Sequence, residues 1–209
     1  RRVGALARAG TFSLYANKIL SSGEGGMVVT NDAELATRMA SVRNFGQAPG
    51  QPFVHPLLGS NYKMSDLHAA VGLAQLARTD QFIARRRANV AELNARLAGL
   101  ERFVDRLPAD RPWARSAPFA YHLLFKTAAF KSRAERALHE QRIETRPFFS
   151  LINDQPPYRA LGFDPADTPV AADIFGRGLY VSNSPALGAA EKALIAETLR
   201  AAFLPPRDG

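Results

Sequence analysis

Near its start the chain sets two short apolar runs, residues 11–15 and 27–30, on either side of the turn Ser21-Ser22-Gly23-Glu24-Gly25-Gly26. Runs of four or five residues with β-branched and aromatic members suit strands. The glycines between them end the first strand and permit positive φ before the second. A helical period then takes over, with Leu35, Met39 and Val42 on one face of a helix predicted to end near Asn44. Asn31 is its predicted N-cap, with Glu34 three residues later in a capping-box pattern. Short strands giving way to helices confine the fold class to α/β.

Farther along, Ser65 is placed to cap a helix ending near residue 77 that carries Leu67, Ala70, Val71, Leu73, Ala74 and Leu76 on most of its sides. Apolar residues all round predict burial or contact with a second subunit. A longer helix starts near Asp80 with Ile83, Val90, Leu93, Leu97 and Leu100 at helical spacing, and Arg85-Arg86-Arg87 reads as its solvated face. Beyond Gly99 the pattern predicts a strand over 119–125, a helix over 132–141, a strand over 142–145 and an amphipathic helix over 189–203. Two regions follow: residues 1–79, the end of an incomplete first domain, and residues 80–209, a smaller α/β domain.

Of the 209 residues 46% are hydrophobic, enough for a buried core. No apolar stretch approaches the roughly 20 residues that cross a bilayer, so no membrane partner is expected. The basic N-terminus has no apolar core after it and does not read as a secretory signal; without an initiator Met, the chain reads as beginning inside a longer protein. The absence of cysteine excludes disulfides, thiolate nucleophiles and Cys-ligated metals, suits a reducing cytoplasm, and leaves no metal site expected. The formal charge of +8 would suit a phosphorylated partner. A nucleic-acid partner is not expected, because the basic residues are scattered and no aromatic stacking platform accompanies them.

Lys18 is the sharpest chemical candidate. A lysine after a strand and before a glycine-rich turn can be held with its amine partly desolvated, which disfavours the ammonium form and leaves a nucleophile for an aldehyde. As a lone lysine it would read as solvated. Its setting says more. The segment from Ser13-Leu14-Tyr15-Ala16-Asn17-Lys18 to Gly25-Gly26-Met27-Val28-Val29-Thr30 closely resembles the Schiff-base segment of the DegT/StrS-type sugar aminotransferases, a branch of the fold-type I pyridoxal-phosphate enzymes. The likeness continues through Arg43-Asn44-Phe45-Gly46, Gly59-Ser60-Asn61-Tyr62-Lys63-Met64-Ser65-Asp66 and Ala69-Ala70-Val71-Gly72-Leu73-Ala74-Gln75-Leu76. Arg142-Ile143-Glu144-Thr145-Arg146-Pro147 resembles the perosamine-synthase side of that family.

The resemblance implies the end of a fold-type I large domain followed by the small domain, with pyridoxal 5'-phosphate as cofactor. It implies an amino group moved from a donor, typically glutamate, to a keto-sugar linked to a nucleotide, in a homodimer with shared active sites. By position, Lys18 matches the lysine bound to the cofactor; His at that place would have indicated the related dehydratases. Ser13 matches a hydroxyl on the cofactor phosphate, with a strand hydroxyl satisfied by backbone as the other reading. Asn61 matches an amide reaching the phosphate of the partner subunit's cofactor, or is a turn residue. Lys63 stands where the family commonly has Arg, and would meet the nucleotide diphosphate as a point charge or be a surface charge. Arg146 faces the sugar nucleotide or forms a structural ion pair. His68 and His122 read as packed histidines. Departures from the family pattern occur at Ser150, Asn153 and Ser182. With the upstream sheet and the partner of the pyridine nitrogen also outside this stretch, a truncated or non-catalytic member keeping only dimerisation and small-domain surfaces is the rival reading.

Overall fold

A computed structural model describes residues 2–204 and divides the chain into two compact units, Arg1–Asp80 and Gln81–Gly209. In the first, β1 (Ala9–Ser13) pairs antiparallel with β2 (Gly26–Thr30), Ala9 opposite Thr30 and Ser13 opposite Gly26. The first strand lies two residues earlier than its apolar run suggests. Leu14 leaves the ladder there, its N–H donating to Gly25 O and its carbonyl accepting from Ser22 N, both at 2.9 Å. Helix α1 (Ala33–Arg43) follows, capped by Asp32 rather than Asn31. Asp32 Oδ1 accepts from Leu35 N at 2.9 Å while Oδ2 takes the Arg8 guanidinium at 2.8 Å. The bonds from Leu35 and Arg8 hold the Asp32 carboxyl below its ordinary pKa.

Helix α2 (Asp66–Leu76) starts as predicted at Ser65, whose Oγ accepts from His68 N. None of its residues is buried: Leu67 is 81% exposed and Leu73 69%. Burial within this chain is therefore not what its apolar surface serves. The helix does meet the glycine-rich turn, where a Cβ on Gly72 would lie 3.4 Å from Ser22 Cβ and one on Gly23 3.6 Å from the His68 ring.

The second unit holds the core. Helix α3 (Thr79–Arg96) leads to β3 (Val104–Arg106), β4 (Tyr121–Phe125), α4 (Ala128–Glu140) and β5 (Thr145–Pro147). Then come α5 (Pro156–Ala160), α6 (Pro169–Arg177), β6 (Gly178–Val181) and α7 (Ala189–Phe203). The antiparallel sheet runs β3-β4-β6-β5, which leaves β5 and its Pro147 at an edge, where a residue without N–H is tolerated. Alternation points Tyr121, Leu123 and Phe125 of β4 and Leu179 and Val181 of β6 to one face. These pack with Leu93, Leu97, Leu138, Ile195, Leu199 and Phe203 in one buried cluster.

Of the arginine run on α3, Arg85 is exposed as expected, but Arg86 and Arg87 do not belong to a solvated face. Arg86 is partly buried, and its NH1 donates to Phe119 O at 2.6 Å and to Asn183 O at 2.7 Å. Arg87 binds Asp110 through both terminal nitrogens and also reaches Ser116 O. These arginines tie α3 to the loops flanking β4 and β6, with Asn183, almost fully buried, returning bonds to Arg86 O and Pro118 O.

On the other face of the sheet His122 stacks on Phe148, centroids 5.4 Å apart and planes within 7°, and lies beside Tyr180. Burial holds its pKa below the ordinary imidazole value of 6.5. The unfolded chain therefore binds a proton there before the folded one does. The contribution of neutral His122 is present above the unfolded value and is lost as pH falls through the lower folded value. Thermal melts between about pH 7 and pH 5 should show a falling midpoint that the His122→Phe variant does not share. Parallel pH curves for the two proteins would remove His122 as the source.

Candidate active site

Lys18 sits on the loop that leaves β1, and the loop is closed at several points. Lys18 N donates to Tyr15 O at 2.9 Å, and a parallel bridge pairs Tyr15 with Gly23. Ser22, almost fully buried, donates its hydroxyl to Glu24 O at 2.6 Å. Gly23 and Gly25 adopt φ of +84° and +122°, and a Cβ on Gly25 would lie 2.5 Å from Met64 Cε. Glycine is therefore favoured at both positions on conformational grounds, since the Met64 methyl is the end of a flexible side chain that can swing aside. The loop that carries Lys18 is fixed by backbone bonds, and Lys18 itself is half-buried.

Ser13 ends β1, exposed, with its Oγ accepting the Tyr15 N–H at 3.3 Å. That bond occupies a lone pair and leaves the hydroxyl proton to donate. A half-buried primary amine five positions after an exposed hydroxyl, on a loop closed by glycines, is a donor set that fits a phosphorylated aldehyde: the amine for the carbonyl carbon, the hydroxyl for a phosphate oxygen.

A second construction in the same unit carries Asn61 and Lys63. The segment after Gly59 crosses the end of α1 and is stitched to it by Phe45 N to Ser60 O at 3.0 Å, Ser60 N to Val42 O at 3.1 Å and Tyr62 N to Arg43 O at 3.0 Å. An antiparallel bridge pairs Asn44 with Asn61. Asn61 is exposed on this segment. Lys63 Nζ donates to Asn44 Oδ1 at 2.9 Å and lies 4.4 Å from the centre of the Phe45 ring, a cation–π contact worth about 0.5–1 kcal/mol at an exposed position. Asn44 Nδ2 in turn donates to Gln47 Oε1 at 2.8 Å.

Arg146 lies in the second unit, on β5, exposed and paired with Glu144 through Nε at 2.9 Å and NH2 at 2.8 Å. The ion pair weighed for it in the sequence is present. Asn153 donates to Asp164 O at 2.7 Å and Thr168 Oγ1 at 2.9 Å, holding together the loops around α5. Ser182 Oγ accepts from Ser184 N at 3.2 Å in the turn after β6. His68 Nδ1 shares a hydrogen bond of 2.7 Å with Ser65 Oγ at the start of α2. Asn44, Phe45 and Gln47 were not singled out from the sequence; the signal available was that Asn44 and Phe45 fall inside a matched motif.

Residues 1–200 match the DegT/DnrJ/EryC1/StrS aminotransferase family. The chain belongs to that family. It is 34% identical over 181 residues to the GDP-perosamine synthase of Caulobacter vibrioides, covering 86% of this chain and 48% of that protein. EpsN of Bacillus subtilis (strain 168), described as a pyridoxal phosphate-dependent aminotransferase, is 27% identical over 205 residues, 95% of this chain and 51% of that one. Among solved structures, S. venezuelae DesV in complex with a ketimine intermediate superposes with a TM-score of 0.86 at 27% identity, over 98% of this chain and 54% of that chain. The fold is thus the mixed α/β architecture of these aminotransferases, and the chain spans about half the length of the relatives it matches. No helix among the described residues is long and apolar enough to cross a membrane.

Proposed function

We propose that these residues serve a pyridoxal-phosphate-dependent aminotransferase that moves an amino group from glutamate to a nucleotide-linked keto-deoxy-sugar, in the manner of the perosamine synthases. Family membership supports the reaction class, and the relative named GDP-perosamine synthase supports the acceptor. The observation that carries the reading is Lys18 on a closed, glycine-locked loop five residues beyond the Ser13 hydroxyl.

When bound, the cofactor supplies the electron sink that amino transfer requires. Lys18 Nζ would hold the aldehyde end and, once released, would move the proton between the two carbons that exchange it in each half of the transfer. Ser13 Oγ–H would donate to the phosphate. In this reading the protein is a cytoplasmic homodimer, residues 1–79 close the large domain, residues 80–209 form the small one, and Asn61 reaches the phosphate bound by the other subunit. The exposed apolar surface of α2 is what such a subunit contact would cover. Lys63 and Arg146 meet the nucleotide sugar, and a substrate phosphate at Arg146 would have to displace or share Glu144.

One observation favours the second reading, a truncated or non-catalytic member. Asn153 stands where a ring contributes to the substrate pocket in the resembling enzymes, and its amide is used between two loops. The test joins the two. Full-length protein with pyridoxal phosphate, nitrogen-labelled glutamate and a GDP-linked 4-keto-sugar should place the label in the nucleotide sugar. Label retained in glutamate, in protein that still takes up the cofactor, would instead support the non-catalytic member.

A further inference from the structure

We infer that Asn44 and Phe45 are positioning residues for Lys63: they hold its ammonium in place without cancelling its charge, so that it meets a phosphate of the nucleoside diphosphate on the acceptor sugar. The inference rests on the nucleotide-sugar reading above. A lysine is a poor phosphate ligand when its four-carbon stem is free to wander, because ordering that stem opposes binding. Here the head is already held, with Asn44 Oδ1 at 2.9 Å on one side and the Phe45 ring at 4.4 Å on another.

The holders are themselves fixed. Asn44 Nδ2 is committed to Gln47 Oε1, so the carbonyl end of the amide faces the ammonium, which can only donate. Phe45 has φ of 59° and is kept there by its N–H to Ser60 O and its carbonyl to His55 Nδ1 at 3.0 Å. Both holders are neutral. That separates Lys63 from Arg8, Arg87, Arg146 and Arg159, each of which is matched by a carboxylate of Asp32, Asp110, Glu144 and Asp154 in turn. An amide and a ring orient a cation and leave its charge available; a carboxylate orients it and neutralises it. With one N–H spent on Asn44, two remain for phosphate oxygens.

The contrast gives a test in which a plain structural bridge and a charge-presenting one predict opposite orders. Full-length protein loaded with pyridoxal phosphate is titrated calorimetrically with GDP and with UDP at low and at physiological salt. Lys63→Met and Asn44→Asp should each weaken binding roughly tenfold or more at low salt, and flatten its salt dependence. Asn44→Ala should lose less affinity than Asn44→Asp, because it removes the holder without placing a carboxylate on the ammonium. Phe45→Leu, which leaves the amide in place, should weaken binding a few-fold. In turnover the defect should appear in KM for the nucleotide sugar, with the glutamate half-reaction unchanged. A mere bridge requires Asn44→Asp to bind as wild type and Asn44→Ala to be the worse of the two, and that order overturns the inference while the nucleotide-sugar reading stands. If wild-type protein binds neither GDP nor UDP, that reading fails and the inference with it.

Discussion

Lys18→Ala in the full-length protein should lose the absorbance near the visible edge that pyridoxal phosphate gives the wild type, and with it any cofactor that borohydride can fix to the chain. Turnover should fall by at least roughly 10²–10⁴-fold, the range attached to a positioned proton-transfer group alone. Under the proposed function the effect is large because two roles would converge on one atom, Lys18 Nζ serving both as the nucleophile toward the aldehyde and as the carrier of the proton. The nucleophilic role passes to no neighbour on the loop, because residues 13–26 hold no second lysine. Lys18→Arg should fail equally, because a guanidinium keeps the charge and cannot act as the nucleophile. Peptide mapping after borohydride treatment decides the matter. A reducible adduct of equal yield in the Lys18→Ala protein would place the chemistry on another lysine, and the proposed function would lose the observation that carries it.

The sequence signals that proved accurate were local ones. Ser65 caps α2 because a hydroxyl before an aspartate and an apolar run can satisfy a first-turn N–H without help from elsewhere. The closing helix, Ala189–Phe203, follows from spacing alone. Errors arose where a distant residue decided. Asn31 and Asp32 are equivalent caps on local grounds, and Asp32 prevails with the Arg8 guanidinium, 24 positions away, on its second oxygen. Arg86 looked like part of a wet charge run, yet its partners are carbonyls 33 and 97 positions on. The short strands β3 and β6 exist through pairing with β4, and nothing within three or four residues announces that. The site divides in the same way. Lys18 and Ser13 could be proposed from the sequence because their motif is contiguous, whereas the hold of Asn44 on Lys63 spans 19 positions and needed the crossing of two segments to appear.

That crossing is itself testable through one glycine. Gly46 has φ of +74°, and a Cβ added there would overlap the carbonyl of Leu57, a backbone atom with no flexible end to swing aside. Gly59, facing it, would run a Cβ into Gly46 N and Val42 O. The two backbones approach this closely because neither carries a side chain, and the approach aligns the bonds from Phe45 N to Ser60 O and from Tyr62 N to Arg43 O. Gly46→Ala should therefore destabilise the unit by about 2–5 kcal/mol: about 1–2 for a left-handed alanine and about 1–3 for the forced separation. Gly50→Ala supplies the control, since Gly50 has φ of +70° with nothing within 4 Å of its would-be Cβ, so it incurs the first cost without the second. Urea denaturation of the two variants in the full-length protein should put Gly46→Ala clearly below Gly50→Ala. If Asn61 has its proposed role, Gly46→Ala should also weaken retention of the cofactor phosphate, because opening the crossing releases the segment that displays Asn61. Equal stability of the two variants would mean that the segments part at no cost, and a segment so loosely held could position neither Asn61 nor Lys63.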